Sequence, residues 1–254
     1  MKKTVLLICG VIALLFGMEA NAQKPYNMDE LYEIGKLSKG SISDFVSWML
    51  AEPEDELNGP LSEAWQLYQK NKPLGKGTTI VLDEKNGYFR YELDYDKAYE
   101  DEEGEPVESI TVVEMCVWNC ADGKHKLFAE NVGGTYQGKP HSDGQYDGIM
   151  FFLYDKATHK LYGFNEAIDG EELSSLAPYE DYETDGEHWY ANDHVTGKRK
   201  QMTNEEFDKW MEDRPVVTLS LPRSGKDIKA HIYTPTGNKE RTFAWDGYRF
   251  HLSK

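Results

Sequence analysis

Hydrophobic positions change their period once along this chain. From residue 24 to residue 74 they recur at helical spacing, and from Thr78 onward they alternate. In the first stretch Asn27 and Glu30 form a capping pair ahead of Leu31, Ile34 and Leu37. Ser41 and Asp44 form another ahead of Phe45, Trp48 and Met49. Pro60 stands at a first-turn position after Gly59, and Leu61, Trp65 and Tyr68 then share one face. Each helix so predicted carries one aromatic stripe, as a helix packed on a sheet would.

The alternating stretch reads as hairpins. Thr79–Leu82 runs into Asn86-Gly87, a turn signal, and Tyr88–Leu93 returns with Phe89, Tyr91 and Leu93 on one face. Ile110–Trp118 is apolar on both faces and so central. Lys126–Val132 pairs back on it across Ala121-Asp122-Gly123, and Ile149–Tyr154 with Leu161–Phe164 forms a third hairpin. A closing meander comprises Val216–Leu221, Ile228–Tyr233, Arg241–Trp245 and Tyr248–Leu252, the last two joined at Asp246-Gly247. One helix, near 204–212, interrupts, capped by Thr203 with Glu206 and stopped before Pro215. The pattern predicts an α+β fold in which short N-terminal helices pack on a large antiparallel β-sheet, as a sandwich or an open barrel. Its expected divisions are a helical segment over 23–74 and a β domain over 75–254.

The motif His125-Lys-Leu-Phe128 recurs as His159-Lys-Leu-Tyr162. The echo reads as shared turn chemistry, with Asp and Thr closing a turn before a basic residue leads out. The segment Thr242–Phe250 resembles an aromatic–Asp–Gly hairpin that ends many secreted bacterial β-proteins. That resemblance implies cross-strand aromatic pairs and no activity.

Residues 1–22 fall outside both periods. Lys2 and Lys3, an apolar run from Val5 to Phe16, and Ala20-Asn21-Ala22 before Gln23 make a secretory signal peptide. The run is shorter than the roughly 20 apolar residues that span a bilayer. Cys9 follows Ile8, where a lipoprotein signal would place a small residue, so a lipid anchor is not expected. The mature chain is therefore expected to start at Gln23, to be exported to the periplasm or the extracellular space, and to hold no integral membrane segment.

Charge narrows the partners. The net charge is −17, and loss of Lys2, Lys3 and Glu19 makes it one unit more negative. Such a surface repels phosphate backbones and anionic lipid headgroups, so nucleic acid is excluded as a partner class. Aromatic residues make up 13% of the chain, which suits β-structure and contact with a glycan or a peptide alike.

Candidate chemistry is sparse. Cys116 and Cys120 could form a disulfide only if the chain bends between them, because on one straight strand their Cα atoms stand about 13 Å apart. The run from Asp94 to Glu105 places Asp94, Asp96 and Glu105 at calcium-loop positions. Ala98 and Tyr99 occupy positions where a ligand and a turn glycine are required, so no metal or other cofactor is predicted. The segment from Gly133 to Gly148 is the longest glycine-rich loop and holds Tyr136, His141, Asp143, Tyr146 and Asp147. A second mixture of rings and carboxylates, Tyr179–His194, includes Trp189. Tyr136, His141, Asp143, Tyr146, Asp147 and Trp189 are the candidate ligand-binding residues. No nucleophile elbow is present, and no catalytic residue is assigned. The leading expectation is a non-catalytic exported binding or interaction protein of a bacterial envelope, with a small glycan or a protein as partner. The alternative is a secreted glycan-active hydrolase using paired carboxylates near Asp143–Asp147 or Asp181–Asp193.

Overall fold

Alternation from Thr78 onward is realised as antiparallel sheet. The computed structural model describes residues 26–51, 58–98, 108–142, 148–176, 180–193 and 197–253. The chain divides into two units, Met1–Tyr32 and Glu33–Lys254. The described part of the first is a 3-10 turn, Met28–Glu30, at whose N-cap Asn27 makes no side-chain bond.

The second unit begins with strand β1 (Glu33–Lys36), where helical spacing predicts a helix. This is a correction. Gly35 disfavours helix, and its bare Cα lets the Trp48 indole lie against the backbone. Helices α1 (Ile42–Met49) and α2 (Asn58–Gln69) follow as expected. Ser41 caps α1 by accepting the Asp44 amide at 3.2 Å. Then come β2 (Thr78–Asp83), β3 (Tyr88–Asp94), a one-turn helix α3 (Tyr95–Ala98), β4 (Ile110–Asn119), β5 (His125–Tyr136), β6 (Lys139–Ser142), β7 (Ile149–Asp155) and β8 (Lys160–Gly163). These eight strands form one sheet in the order β1-β8-β7-β5-β4-β3-β2, with β6 on β5. After a short helix α4 (Gly170–Ser174), strands β9 (Glu180–Thr184), β10 (Trp189–Asp193) and β11 (Lys198–Met202) make a three-stranded sheet. Helix α5 (Asn204–Asp213) carries the expected capping box of Thr203 and Glu206. The meander closes the chain as a four-stranded sheet, β12 (Val216–Ser220), β13 (Ile228–Thr234), β14 (Gly237–Trp245) and β15 (Phe250–Leu252). Among the described residues no helix is long and apolar enough to cross a membrane.

Each inner strand of the large sheet serves two layers. Phe89, Tyr91, Val113, Met115, Phe128 and Phe152 share one face and pack with α1 and α2. There Phe45 lies 4.7 Å from Phe128 and 5.3 Å from Phe152, and Trp65 meets Phe89 edge-on at 5.6 Å. The opposite face meets the C-terminal sheet. Trp118 packs edge-on against Phe250 at 5.1 Å and donates its indole N–H to the Lys226 carbonyl.

Turn chemistry departs from expectation at two places. Asn86-Gly87 does not form a two-residue turn, because Asp83 pairs with Tyr88 and only Gly87 takes a positive φ. A Cβ at Gly87 would run into the Val117 side chain. A two-residue turn with both φ values positive occurs instead at Gln137-Gly138, inside the segment read as a loop, and it joins β5 to β6. The hairpin echo has a physical basis. Asp122, Asp185 and Asp246 each accept the amides two and three residues on, and Asp155 accepts the Ala157 amide and the Thr158 hydroxyl.

Candidate functional site

The glycine-rich segment matters because of which face Gly133 occupies. By alternation Asn131, Gly133 and Thr135 point from β5 toward the C-terminal sheet, on the same side as Val112 and Glu114 of β4 and Arg90 of β3. Asn131 and Thr135 carry side chains into that layer, and Gly133 carries none. The gap is a cleft of about 180 Å³ lined by Arg90, Glu114, Asn131, Gly133, Thr135 and Pro140, and by Thr218, Ser220 and Tyr233 of β12 and β13. Gly134 holds a φ of 145°, and a Cβ there would collide with the Ile110 carbonyl, so the bare backbone continues beside the cleft.

A buried charge network forms one wall. Glu114 is 5% exposed. Its carboxylate accepts the Tyr88 hydroxyl at 2.6 Å, an Arg90 N–H at 3.3 Å and the Leu221 amide at 2.9 Å. The other arm of Arg90 donates to Glu92 at 2.7 Å. Burial, and then the Glu114 carboxylate, push the Tyr88 phenol well above its ordinary value. Asn131 donates its amide to the Leu219 carbonyl at 2.8 Å. The charges in the cleft are therefore paired inside the protein. Asn131, Thr135, Thr218, Ser220 and Tyr233 are the neutral polar residues of its lining, beside the apolar Val112, Val132, Pro140 and Leu219.

The candidates read from the sequence are distributed as follows. Tyr136, half exposed, ends β5 opposite Lys139, and His141 pairs through its backbone with Gly134, so both belong to the hairpin that borders the cleft. Asp143, Tyr146 and Asp147 lie outside the described residues. Trp189 sits on β10 of the three-stranded sheet, apart from the sheet that carries Tyr136. One face of its ring stacks on Phe207 at 4.0 Å, and its indole N–H goes to Asn204. The exposed ring of that sheet is Tyr182, which also contacts Phe207 and Trp210. Cys116 and Cys120 are both buried and carry no disulfide, matching the extended course of β4 between them. Cys116 donates to the Pro222 carbonyl, and burial pushes its thiol up to about 12.

Carboxylates elsewhere are engaged locally. Asp185 is held at about 2 by the Tyr190 hydroxyl and by the His188 and Glu187 amides. Asp94 takes the Lys97 amide and ammonium, and Asp96 takes the Glu108 amide. A second, larger cleft of about 330 Å³ is lined by Asn165, Asp169, Glu172 and His251, and by Glu166 and Arg249, which form an ion pair at 2.9 Å. Among the described residues no group of three or more His, Cys, Asp or Glu side chains could hold a metal ion.

The wall residues Arg90, Glu114 and Asn131 escape the sequence reading. A readable signal was present in Val112-Val113-Glu114-Met115-Cys116, where one carboxylate interrupts an apolar central strand. Comparison of the chain with protein-family models, with curated proteins and with solved structures finds no match in any of the three.

Proposed function

We propose that this is an exported, non-catalytic binding protein of a bacterial cell envelope that holds a neutral polar group, such as one sugar ring of a small glycan, in the cleft over Gly133. One observation carries the reading. Arg90 is held between Glu92 and Glu114 at the cleft wall, so its charge is engaged within the protein, and Asn131, Thr135, Thr218, Ser220 and Tyr233 supply the neutral polar part of the lining. Such a lining suits hydroxyl-rich ligands, for which a ring edge and a few fixed hydrogen bonds set orientation. Both oxygens of Glu114 are taken by donors of the protein itself, which argues against a general acid or base there and so against the hydrolase reading. Contacts of the large sheet with α1 and α2 on one face and with the meander on the other support a layered sandwich over an open barrel.

Export rests on the leader. Intact-mass analysis of the exported protein should give a chain starting at Gln23. A mass that retains residues 1–22, or one that carries lipid on Cys9, overturns this part. Binding is tested with a glycan array followed by calorimetric titration. Gly133→Val fills the floor of the cleft and should abolish binding while the protein still melts cooperatively. Tyr233→Ala should weaken it. A wild-type protein that binds no glycan, or a Gly133→Val variant that binds as well as wild type, sinks the reading.

A further inference from the structure

A carboxyl group inside a protein normally meets a donor or a cation. That of Glu130 meets neither. It is 5% exposed, and among the described residues it makes no side-chain hydrogen bond and no ion pair. By alternation with Phe128 and Val132 it points to the helix-covered face of the large sheet, where its neighbours across β4 and β7 are Met115 and Met150. The titratable groups on that face stand apart from it. Lys126 and Tyr154 lie four residues along their strands, about 13 Å away. There Lys126 bonds to the Gly40 carbonyl and Tyr154 to His159. In the other direction His141 of β6 pairs with Gly134, four residues along β5, and Tyr136 is six along. Tyr91 is two strands away on β3. On α1, Asp44 accepts the Lys39 and Gly40 amides, at the same end as Lys126. On α2, Glu63 is exposed and Tyr68 stacks on Trp65.

Its place in the ladder gives this carboxyl one short way to water. Strand β5 is paired with β7 only as far as Asn131–Ile149, and from Gly133 onward it is paired with β6. The Val132 amide donates to the Gly148 carbonyl at 2.7 Å. Bonded pairs alternate along an antiparallel ladder, so Glu130 and Met150 exchange the next two backbone bonds. These bonds alone hold the end of the ladder at Glu130. Met150 is 45% exposed, so freeing it gives up little buried apolar surface.

We propose that ionisation of Glu130 opens this end of the β5–β7 ladder, with Ile149 and Met150 leaving β5 as the carboxylate turns to water. Closed, the group keeps its proton more tightly, because burial raises it from 4.5 to about 7. Open, it ionises as in a free chain. The balance therefore shifts toward the open form as pH rises from 4.5 to 7 and is constant above that. Asn131 and Gly133 follow on β5 and line the cleft, so the opening loosens the cleft floor.

The test is amide hydrogen exchange, read residue by residue by NMR at pH 6 and pH 8 and corrected for the faster intrinsic exchange at the higher pH. Protection of the Glu130, Val132 and Met150 amides should fall about tenfold between the two. It should also be lower than that of Leu127 and Ala129, whose amides bond to β4 in the register that the Cys120–His125 bond sets. Glu130→Gln cannot ionise and should show no such fall. Equal protection of the wild-type amides at the two pH values overturns the proposal. So does a fall that persists in Glu130→Gln. So do Glu130, Val132 and Met150 amides that exchange only together with those of Leu127 and Ala129, as in global unfolding. The wild-type measurements decide the matter even if the variant fails to fold.

Discussion

The carboxylate of Glu114 and the backbone amide of Leu221 meet at 2.9 Å across 107 residues of sequence. This bond, with those from Tyr88 and Arg90, fastens the middle of the eight-stranded sheet to the end of β12. Removing the carboxylate leaves a guanidinium, a phenol and an amide without their shared acceptor. Glu114→Ala should cost about 3 kcal/mol. Tyr88→Phe, which deletes one donor, should cost about 1 kcal/mol. Urea denaturation at neutral pH measures both. Equal costs for the two variants would show that Glu114 is not the hub.

Glu130 gives the opposite kind of carboxyl. It is 5% exposed, stands on β5 between Met115 and Met150 of the flanking strands, and is pushed by burial from 4.5 up to about 7. The folded state therefore holds this proton more tightly than the unfolded chain does. Its effect on stability is nil below pH 4.5, becomes increasingly unfavourable as pH rises toward 7, and is constant above that. Glu130→Gln should raise stability at pH 8 by about 2 kcal/mol and change it little at pH 4. Chemical denaturation at the two pH values is the check, and an equal effect at both would refute the assignment.

Cys116 should be inert in the folded protein. Its thiol is buried, bonded to Pro222 and raised to about 12, so little thiolate forms near pH 8. Iodoacetamide should leave Cys116 unmodified under native conditions. In denaturant without reductant it should alkylate both Cys116 and Cys120, as read by peptide mass. Failure of both to react until a reductant is added would reveal a disulfide.

Gly134 is a backbone requirement. A methyl group there meets the Ile110 carbonyl, and the φ of 145° is one that side chains avoid. Gly134→Ala should destabilise by about 3 kcal/mol or more. A thermal melt that matches wild type would mean that the β4–β5 ladder can shift to make room.

Legibility in the sequence followed the range of the interactions. The alternation of Phe89, Tyr91 and Leu93, the caps at Ser41 and Thr203, and the strand order within each hairpin are local, and each is found where the pattern places it. Strand β1 was not legible, because four residues are too few to show a period and its partner β8 lies more than a hundred residues on. The β5–β6 hairpin was hidden because Gln137-Gly138 is not a usual turn pair. The cleft was hidden for another reason. Arg90, Glu114 and Asn131 come from three different strands that only the folded sheet sets side by side, and Leu219 and Leu221, which meet them, come from far along the chain.

That lateness has a consequence for how the molecule is made. A chain grows from its N-terminus, so the large sheet and its helices exist before the last forty residues do. During that interval the face bearing Tyr88, Arg90, Glu114 and Asn131 also bears Trp118, Leu127 and Phe151, and it waits for Trp245 and Phe250 to cover them. The helix-covered face, lined by Phe89, Met115 and Phe128, packs on segments that precede it in the chain and has no such wait. A chain cut short of its closing strands should therefore expose a ring-rich patch beside an unburied carboxylate, and stay sticky until the last strand is made.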